Sequence, residues 1–393
     1  MATPAPLQEP PDFSLAVGGP LYRMLSRLRP AGPVVQLVRR QAAVSIFLCW
    51  VPLVVLSLAQ GNFFGGIKLS FLRDIETHVR FLVSLPALIL AEIVVHQRVR
   101  PIIKRFVERN LVAPEELPKY YASIDTAVAI HNSAITEIVI LVFVFTGGIW
   151  FWRHQIAGDI ASWYASSQGG QIHLTMAGYW LAFVSVPVFQ FILLRWYMQI
   201  LVWSWFLFRV SRLELQLRPL HPDRAGSLGF VGPSSMAFAP LLFAQSALLS
   251  GQIASHILYN GESLFSSEIA IFSYVVLSVM VALAPLLLFT PQLIRAKRRG
   301  LAIYGNFATE FVTDFDQRWL KKTGGDPMLA DQDIQSLADL GNSFAVVREM
   351  RFVPISPYDV LLLVLATIGP FLPLLLTIMP LDQLVVHALK IVF

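Results

Sequence analysis

Long runs of apolar residues recur along the chain and alternate with shorter polar stretches. A hydrocarbon core about 30 Å thick is crossed by roughly 20 helical residues. Uncharged or nearly uncharged runs of about this length predict seven transmembrane helices, near 41–59, 81–96, 135–152, 175–196, 235–258, 269–290 and 360–379. The fourth run continues to Phe208, and a helix over its whole length exceeds a bilayer. We therefore expect that helix to tilt, to break near Pro187 or to project beyond the membrane.

Proline residues interrupt most of these runs. They stand at Pro52, Pro86, Pro187, Pro240, Pro285, Pro370 and Pro373. Because proline removes a backbone donor and clashes with the preceding turn, we expect kinked helices whose freed carbonyl groups face protein or water. Such kinks are typical of channels and transporters, but they are also common in other membrane proteins.

The cationic side chains are distributed unevenly between the connections. If the N terminus is cytoplasmic, 24 of the 30 Lys and Arg residues lie on the cytoplasmic side. The residues assigned to the outside are Lys68, Arg73, Arg80, Arg153 and Lys390. Since cytoplasmic loops carry an excess of Lys and Arg, the sequence predicts a multi-pass protein with its N terminus inside and its C terminus outside. The basic excess also predicts contact with the anionic lipid of the inner leaflet.

The composition agrees with a membrane protein and excludes several other classes. Charged residues make up 14% of the chain, against about 25% in a typical soluble domain. Cys49 is the single cysteine, which excludes disulfides within the chain and cysteine-based zinc or iron–sulfur sites. The histidines lack ligand spacing, and no metalloprotease, serine-protease or nucleotide-binding motif occurs. We predict no metal, no cofactor and no nucleic-acid partner.

Four regions follow from this pattern. We predict a disordered and amphipathic cytoplasmic segment over 1–40, a membrane domain with spans one to six over 41–290, a cytoplasmic helical hairpin over 291–358, and a seventh span with a short outer tail over 359–393. The fold class is therefore all-α, a polytopic bundle with a small helical hairpin.

Two amphipathic patterns define the hairpin. The first consists of Phe307, Phe311, Phe315 and Trp319, and the second of Ile334, Leu337, Leu340 and Phe344. Each spacing forms an apolar stripe along a helix, and such a stripe needs a partner. The hairpin is predicted to be either a platform for subunit assembly or a cap packed on its own membrane domain.

A further amphipathic stretch follows the second span. Ile102, Ile103, Phe106 and Val107 share one helical face over 100–109, with basic residues opposite. This pattern predicts a helix that lies on anionic lipid.

Three ionisable residues lie within predicted spans and are functional candidates, because a charge in lipid is costly. Glu92, Glu137 and Arg195 all fall in the inner half of the membrane if the predicted orientation holds. Equal depth allows Glu92 or Glu137 to pair with Arg195, which neutralises both partners. The pair is either structural or part of a permeation path.

The fifth span carries a polar face formed by Gln245, Gln252 and His256, whose spacings of seven and four residues place them on one side of a helix. Such a face lines a wet cavity or binds a neighbouring helix through hydrogen bonds. Under a transport function, Gln245 and Gln252 would line the path.

The loop 221–230 is the most motif-like stretch, and its sequence is His-Pro-Asp-Arg-Ala-Gly-Ser-Leu-Gly-Phe. Asp223 can cap a turn, Gly226 and Gly229 allow positive φ, and Arg224 can bind a carboxylate or a lipid phosphate. His221, Asp223, Arg224 and Gly226 are therefore predicted to form a binding loop on the inner face.

This loop resembles one in a family of uncharacterised bacterial multi-spanning membrane proteins, which commonly have a second glycine at the position of Ser227. The stretches 340–344 and 370–377 are similar to that family as well. The resemblance implies a bacterial inner-membrane location and no activity.

Three function classes stay open at this point. The leading hypothesis is a membrane transport protein, a channel or secondary transporter that forms a homo-oligomer. The second is a non-transporting membrane module that docks or regulates an unidentified protein partner. The third is an enzyme that modifies lipid at the inner interface, with His221 and Asp223 as an acid/base pair and Arg224 binding phosphate.

Overall fold

Helices of transmembrane length dominate the computed structural model of the protein, which describes residues 34–65, 69–148, 162–168, 171–319 and 331–377. Six described helical segments are long and apolar enough to cross a membrane: Val38–Ala59, Ile75–Glu108, Met176–Val210, Gly229–Asn260, Leu264–Gln317 and Pro357–Thr377. A pair of helices bent by 43° at residues 131–134 supplies a seventh span when it is counted as one. The predicted all-α membrane architecture is confirmed. The predictions for 1–33 and 378–393 and for the end of the third span lie outside the described residues.

Over the described residues, the secondary structure consists of helices and one short hairpin of strands. The α-helices are Val34–Cys49 (α1), Val51–Ala59 (α2), Ile75–His78 (α3), Leu85–Glu108 (α4), Leu117–His131 (α5), Ala134–Phe143 (α6), Met176–Trp180 (α7), Val186–Val210 (α8), Ala239–Asn260 (α9), Glu268–Leu283 (α10), Thr290–Trp319 (α11), Asp331–Arg348 (α12) and Pro357–Ile368 (α13). The antiparallel strands are Ala165–Gln168 (β1) and Gln171–Leu174 (β2). Irregular helical turns lie at Phe71–Arg73, Val79–Ser84, Pro114–Glu116, Val144–Gly148, Leu181–Ser185, Gly229–Phe238, Leu264–Ser267, Ala284–Phe289 and Gly369–Thr377.

Proline residues mark the joints inside the spans. Pro86, Pro187 and Pro240 each lie in the first turn of an α-helix that follows an irregular turn. Pro52 lies in the first turn of α2, after the break at Trp50, and Pro285 lies in the first turn of the irregular segment Ala284–Phe289. The first turn tolerates proline because its backbone N–H groups have no intrahelical acceptor. The long fourth span does not break: a π-helical turn, Leu181–Ser185, absorbs the proline, and the helix continues to Val210.

Carbonyl groups near these joints accept hydrogen bonds from neighbouring helices. Pro52 leaves the carbonyl of Leu48 without its usual helical donor, and the indole Nε1 of Trp180 donates to it at 3.1 Å. The hydroxyl of Ser185 donates to the adjacent carbonyl of Cys49 at 2.7 Å. The predicted orientation of freed carbonyls toward protein is therefore found at the first span.

The end of the bundle near the β-hairpin is built around one buried carboxylate. Asp74 accepts hydrogen bonds from the backbone N–H and the hydroxyl of Thr77 and from the indole Nε1 of Trp163 at 2.8 Å. Phe71 packs edge-on against Trp163, with the ring centroids 4.8 Å apart. The carboxyl oxygens of Asp74 therefore accept hydrogen bonds from protein donors inside an aromatic cluster.

Many cationic residues gather at the opposite end, which we call the basic end and define by residues 209–228, 291–300 and 348–356. These three stretches contact one another. Gln292 donates to the carbonyls of Ser211 and Leu213, and the backbone N–H of Arg351 donates to the carbonyl of Arg224 at 2.6 Å. The positive-inside rule predicts that this end faces the cytoplasm.

The amphipathic stretch after the second span continues α4 and does not form a separate surface helix. Ile102, Ile103 and Phe106 are almost completely buried within the protein, against the irregular turn Gly229–Phe238 and Tyr120. The prediction that this apolar face lies on lipid is wrong, because a distant segment of the same chain, Gly229–Phe238, covers it.

Helices α11 and α12 form the predicted hairpin and pack against each other. Helix α11 extends the sixth span directly through the turn Ala284–Phe289, so the hairpin is continuous with the membrane helices. Phe311, Phe315, Leu337, Leu340 and Phe344 are half-buried, while Phe307 and Ile334 are exposed. The side chain of Trp319 lies outside the described residues.

Candidate functional site

A buried ion pair joins two of the predicted intramembrane residues. Glu92 on α4 is 7% exposed, and its Oε1 lies 4.0 Å from Nη1 of Arg195 on α8. The next residue, Trp196, donates from its indole Nε1 to the carbonyl of Leu88, one turn before Glu92, at 2.9 Å. This hydrogen bond fixes α4 and α8 at the level of the pair, so the sequence-based pairing by depth is found in the structure.

A third ionisable side chain and an amide lie beside this pair. His131 ends α5, which packs against α8, the helix that carries Arg195. Gln199 is one turn after Arg195 on the same face of α8 and is 2% exposed. Nε2 of His131 and Oε1 of Gln199 are buried without a hydrogen-bond partner among the described residues. We call Glu92, His131, Arg195 and Gln199 the buried polar cluster.

Helix α5 ends at His131, next to Arg195, and α6 begins at Ala134 after the bend. Helix ends leave N–H and C=O groups without helical partners. The bend therefore lies in a pair of helices that both pack against α8, the helix that carries Arg195 and Gln199.

Glu137 lies in the first turn of α6 and is also buried. It interacts with its surroundings and is not an isolated charge. The salt bridge between Glu92 and Arg195 is one of the two pairings predicted for Arg195.

His131 and Gln199 escaped the sequence analysis for identifiable reasons. The third span was predicted to start after His131, which placed the histidine in a loop. Gln199 carries no charge and was passed over, although its position four residues after Arg195 places both on one helical face. That spacing was the available signal.

The polar face of the fifth span connects helices. The amide Nε2 of Gln245 donates to the hydroxyl of Tyr197 on α8, and the hydroxyl of Tyr274 on α10 donates to its Oε1 at 3.3 Å. Tyr197 is two residues from Arg195, about 200° around α8, so Gln245 and the buried polar cluster contact different sides of that helix. Gln252 is half-buried, and exposed His256 pairs with Glu262 at 3.1 Å.

The motif-like loop of the basic end closes around Asp223. Its carboxylate accepts the backbone N–H groups of Ala225, Ser227 and Gly229 at 2.9, 3.2 and 2.8 Å. Nδ1 of His221 lies 3.0 Å from Oδ1 of Asp223. Both carboxylate oxygens are therefore engaged in holding the turn, as the predicted capping role requires.

Burial raises the pKa of Asp223, but the hydrogen bonds from Ala225, Gly229, Ser227 and His221 together outweigh burial. The pKa of this carboxyl is therefore lowered from its usual value, and Asp223 is ionised at neutral pH.

Backbone geometry explains the glycines of this loop. Gly226 has a φ of +61°, as predicted, whereas Gly229 does not have a positive φ. A Cβ at Gly229 would lie 3.0 Å from the Asp223 carboxylate, so glycine is needed there for close approach. Ser227 also has a positive φ, of +78°.

Arg351 holds the loop from the side of the seventh span. Its guanidinium donates to the carbonyls of Asp223 and Ile355 at 2.8 and 2.6 Å. Arg224 forms an exposed ion pair with Glu349 at 2.9 Å. The loop is thus a packed joint between the fourth, sixth and seventh spans. These contacts account for its conformation without a bound ligand, and its binding role stays a prediction.

No group of three or more His, Cys, Asp or Glu side chains among residues 34–65, 69–148, 162–168, 171–319 and 331–377 could hold a metal ion. The buried polar cluster mixes one carboxylate with a guanidinium, an imidazole and an amide, a set that suits protons, water or small polar ions.

Comparison with known proteins identifies no relative: no family model, no curated protein and no solved structure matches the chain. The class of the protein follows from its helices alone: it is a multi-pass membrane protein, with six or seven candidate spans in the part of the chain that the structure describes.

Proposed function

We propose that the protein is a membrane transport protein, a channel or secondary transporter, whose path passes through the buried polar cluster. The observation that carries the proposal is the Glu92–Arg195 pair, buried between two apolar spans beside the bend of a third. An ionisable pair in such a place is costly, and the packing of an apolar bundle does not by itself require it.

The geometry of the pair supports this proposal. A separation of 4.0 Å is longer than a charge-assisted hydrogen bond, which is about 2.7–2.9 Å. At this separation the two groups attract each other through their charges without a direct hydrogen bond. Such a pair can admit a water molecule, a proton or a small ion between its members.

The neighbours of the pair support it as well. A buried polar atom without a protein partner usually bonds to water or to a ligand, and Nε2 of His131 and Oε1 of Gln199 are two such atoms. Discontinuous helices whose ends meet near the middle of a membrane are common at the ion and substrate sites of transporters. The bend after His131 is a feature of this kind.

Reconstitution into liposomes tests the proposal. Purified protein is assayed for proton flux with an entrapped pH-sensitive dye, and for Na⁺, K⁺ and Cl⁻ flux with ion-sensitive dyes. Wild-type liposomes should conduct at least one of these ions above the level of protein-free liposomes. Glu92→Gln should reduce that flux by about tenfold or more, the loss expected for about 1.4 kcal/mol of site energy.

Glu268→Gln is the matched control, because it makes the same substitution at an exposed glutamate in the first turn of α10. It should leave flux unchanged. Unchanged flux in Glu92→Gln would remove this residue from the path, and the absence of flux for all four ions would contradict ion transport.

A second function, a docking module for a partner protein, is favoured by the α11–α12 hairpin. Ile303 and Phe307 on α11 are 53% and 54% exposed, and Ile334 on α12 is 52% exposed. The distal half of the hairpin also carries Glu310, Asp314, Asp316 and Asp339, so an anionic membrane surface would repel it. These apolar side chains suit a protein surface better than lipid headgroups.

Affinity purification from membranes tests the docking function. A partner, or a second copy, that binds the hairpin should be lost from Ile303→Ser/Phe307→Ser and retained by Ile269→Ser/Phe272→Ser. The control residues are also strongly exposed, but they lie on the apolar span α10. Retention of the same partner by both double variants would contradict docking at the hairpin.

A further inference from the structure

A shallow groove of about 310 Å³ opens at the basic end, between α11 and the segment that leads into the seventh span. Its walls are Ile294, Lys297, Arg298, Leu301 and Phe352. The four residues from α11 have the spacing i, i+3, i+4 and i+7, so they form one stripe about 100° wide along the helix. The groove is therefore a continuous face of α11 with an aromatic side chain opposite.

The other side of α11 is covered by protein, which leaves this face accessible. A Cβ on Gly300 would lie 2.7 Å from Pro219, so the helix packs tightly against the loop at that position. Gln292 donates to two carbonyls after α8 and fixes the start of α11. The position and rotation of the helix are thus set independently of anything in the groove.

One cation of the groove is held in place. Nζ of Lys297 donates to the carbonyl of Met350 at 2.8 Å and lies 4.5 Å from the centroid of the Phe352 ring. Arg298, the next residue, is exposed at the rim. Ammonium and guanidinium groups both bind phosphate oxygens.

The groove lies where an apolar span meets a cluster of cations. The apolar residues of the sixth span continue to Ile294, and four of the next five residues are Arg or Lys. Phe352 precedes the seventh span, which starts at Pro357. Lys and Arg at such a boundary mark the level of lipid headgroups.

We infer that this groove binds one anionic phospholipid, with the phosphate between Lys297 and Arg298 and an acyl chain along Ile294, Leu301 and Phe352. Charge complementarity selects an anionic headgroup over a zwitterionic one. The apolar wall, including the 51% exposed ring of Phe352, selects a lipid over free phosphate, because free phosphate buries no apolar surface. This site is independent of the buried polar cluster.

Lipid binding to the purified, delipidated full chain tests the inference by native mass spectrometry. The probes are dioctanoyl phosphatidylglycerol, dioctanoyl phosphatidylcholine and inorganic phosphate. The wild type should bind one phosphatidylglycerol more tightly than phosphatidylcholine, and phosphate should not displace it. Arg298→Gln should weaken phosphatidylglycerol binding about fivefold, and Lys297→Gln/Arg298→Gln should weaken it further.

Arg295→Gln/Arg299→Gln is the matched control. It removes two charges from the same five residues, but positions 295 and 299 lie about 100° or more from the centre of the groove stripe. This variant should bind phosphatidylglycerol like the wild type. Arg298→Gln alters an exposed side chain and keeps the test valid if the Lys297 variant does not fold.

Three results would overturn the inference. Equal binding of phosphatidylcholine would show that charge does not select the lipid. Equal weakening in Arg295→Gln/Arg299→Gln would show attraction to the basic cluster as a whole. Displacement by inorganic phosphate at the concentration of the lipid would show that the apolar wall contributes nothing.

Discussion

Ser84 and Ser185 occupy the same place in two different spans. Each closes a π-helical turn two residues before a proline, and each donates its buried hydroxyl to a backbone carbonyl of a neighbouring helix at 2.7 Å. The acceptors are Ala244 on α9 and Cys49 at the end of α1. The wide π turn accommodates the proline, and the serine ties the joint to the next helix.

Replacement of Ser185 should therefore weaken the packing of α8 on the first span. Ser185→Ala is expected to lower the free energy of unfolding by about 1 kcal/mol, the usual net value of one hydrogen bond. Thermal unfolding of detergent-purified protein measures the change. Ser204→Ala is the control, because this hydroxyl bonds to Ile200 within its own helix and a bond of that kind adds little stability. Equal losses in both variants would contradict a special role of the joint.

Removal of one member of the Glu92–Arg195 pair should lower the free energy of unfolding more than removal of both. Arg195→Met leaves the carboxylate of Glu92 without its cationic partner in the bundle, and loss of one partner of a buried pair costs about 3–5 kcal/mol. Addition of Glu92→Gln should recover part of that loss. Thermal unfolding of the two single variants and the double variant gives the coupling energy. Strictly additive losses would show that the two side chains do not interact.

The spans and the Glu92–Arg195 pair could be predicted because both follow from the positions of apolar and charged residues along the chain. Apolar runs of bilayer length identify a span whatever it packs against, and two charges at one depth favour each other. The bend after His131 was not predictable from the same signal. Helix α5 contains Lys119 and Asp125, and a sequence with those charges resembles a loop until its packing against α8 is known.

The error at 102–107 has the opposite cause. The amphipathic pattern was correct, but amphipathicity does not tell whether lipid or protein covers the apolar face. Here the irregular turn Gly229–Phe238, more than a hundred residues away, covers it. Contacts at such separation are fixed by the tertiary fold.

The stability of the basic end should depend on pH through Asp223. The pKa of this carboxyl is lower in the folded protein than in the unfolded chain, where it is about 3.9. Its contribution to stability is therefore complete above about pH 4 and is lost as the pH falls through the folded value. Asp223→Asn should destabilise the protein at pH 7 by about 1–3 kcal/mol, because an amide cannot replace both acceptor oxygens.

Thermal unfolding between pH 7 and pH 3 checks this dependence. The difference between wild type and Asp223→Asn should be constant near neutral pH and should shrink at the acidic end. Glu349→Gln removes a carboxylate of the same region that is exposed and should leave the pH profile unchanged. A constant difference down to pH 3 would be evidence against the linkage.

Ser227 is a position where substitution should stabilise the protein. A φ of +78° is unfavourable for a residue with a side chain, and the hydroxyl of Ser227 is buried without a partner among the described residues. Ser227→Gly removes both costs and should raise the free energy of unfolding by about 1 kcal/mol. Thermal unfolding measures the gain. Ser227→Ala removes only the hydroxyl, so a gain of equal size in that variant would show that backbone strain is not the cause.

Gly178 is the position where a single methyl group should be least tolerated. It lies in α7, which begins after β2, and a Cβ at this position would be 2.0 Å from the carbonyl oxygen of Tyr164. That oxygen already accepts the backbone N–H of Thr175, so the β-hairpin cannot move aside without loss of this bond. Gly178→Ala should therefore displace the hairpin and destabilise the protein by several kcal/mol, more than the about 1–3 kcal/mol typical of overpacking.

The control is Gly341→Ala in α12, where a Cβ meets nothing within 4 Å. Alanine has the higher helix propensity, so this variant should be stabilised by up to about 1 kcal/mol. Thermal unfolding and size-exclusion profiles of the two variants should move in opposite directions. If Gly178→Ala has the stability of the wild type, the close approach of Gly178 to the carbonyl oxygen of Tyr164 does not limit the side chain at this position.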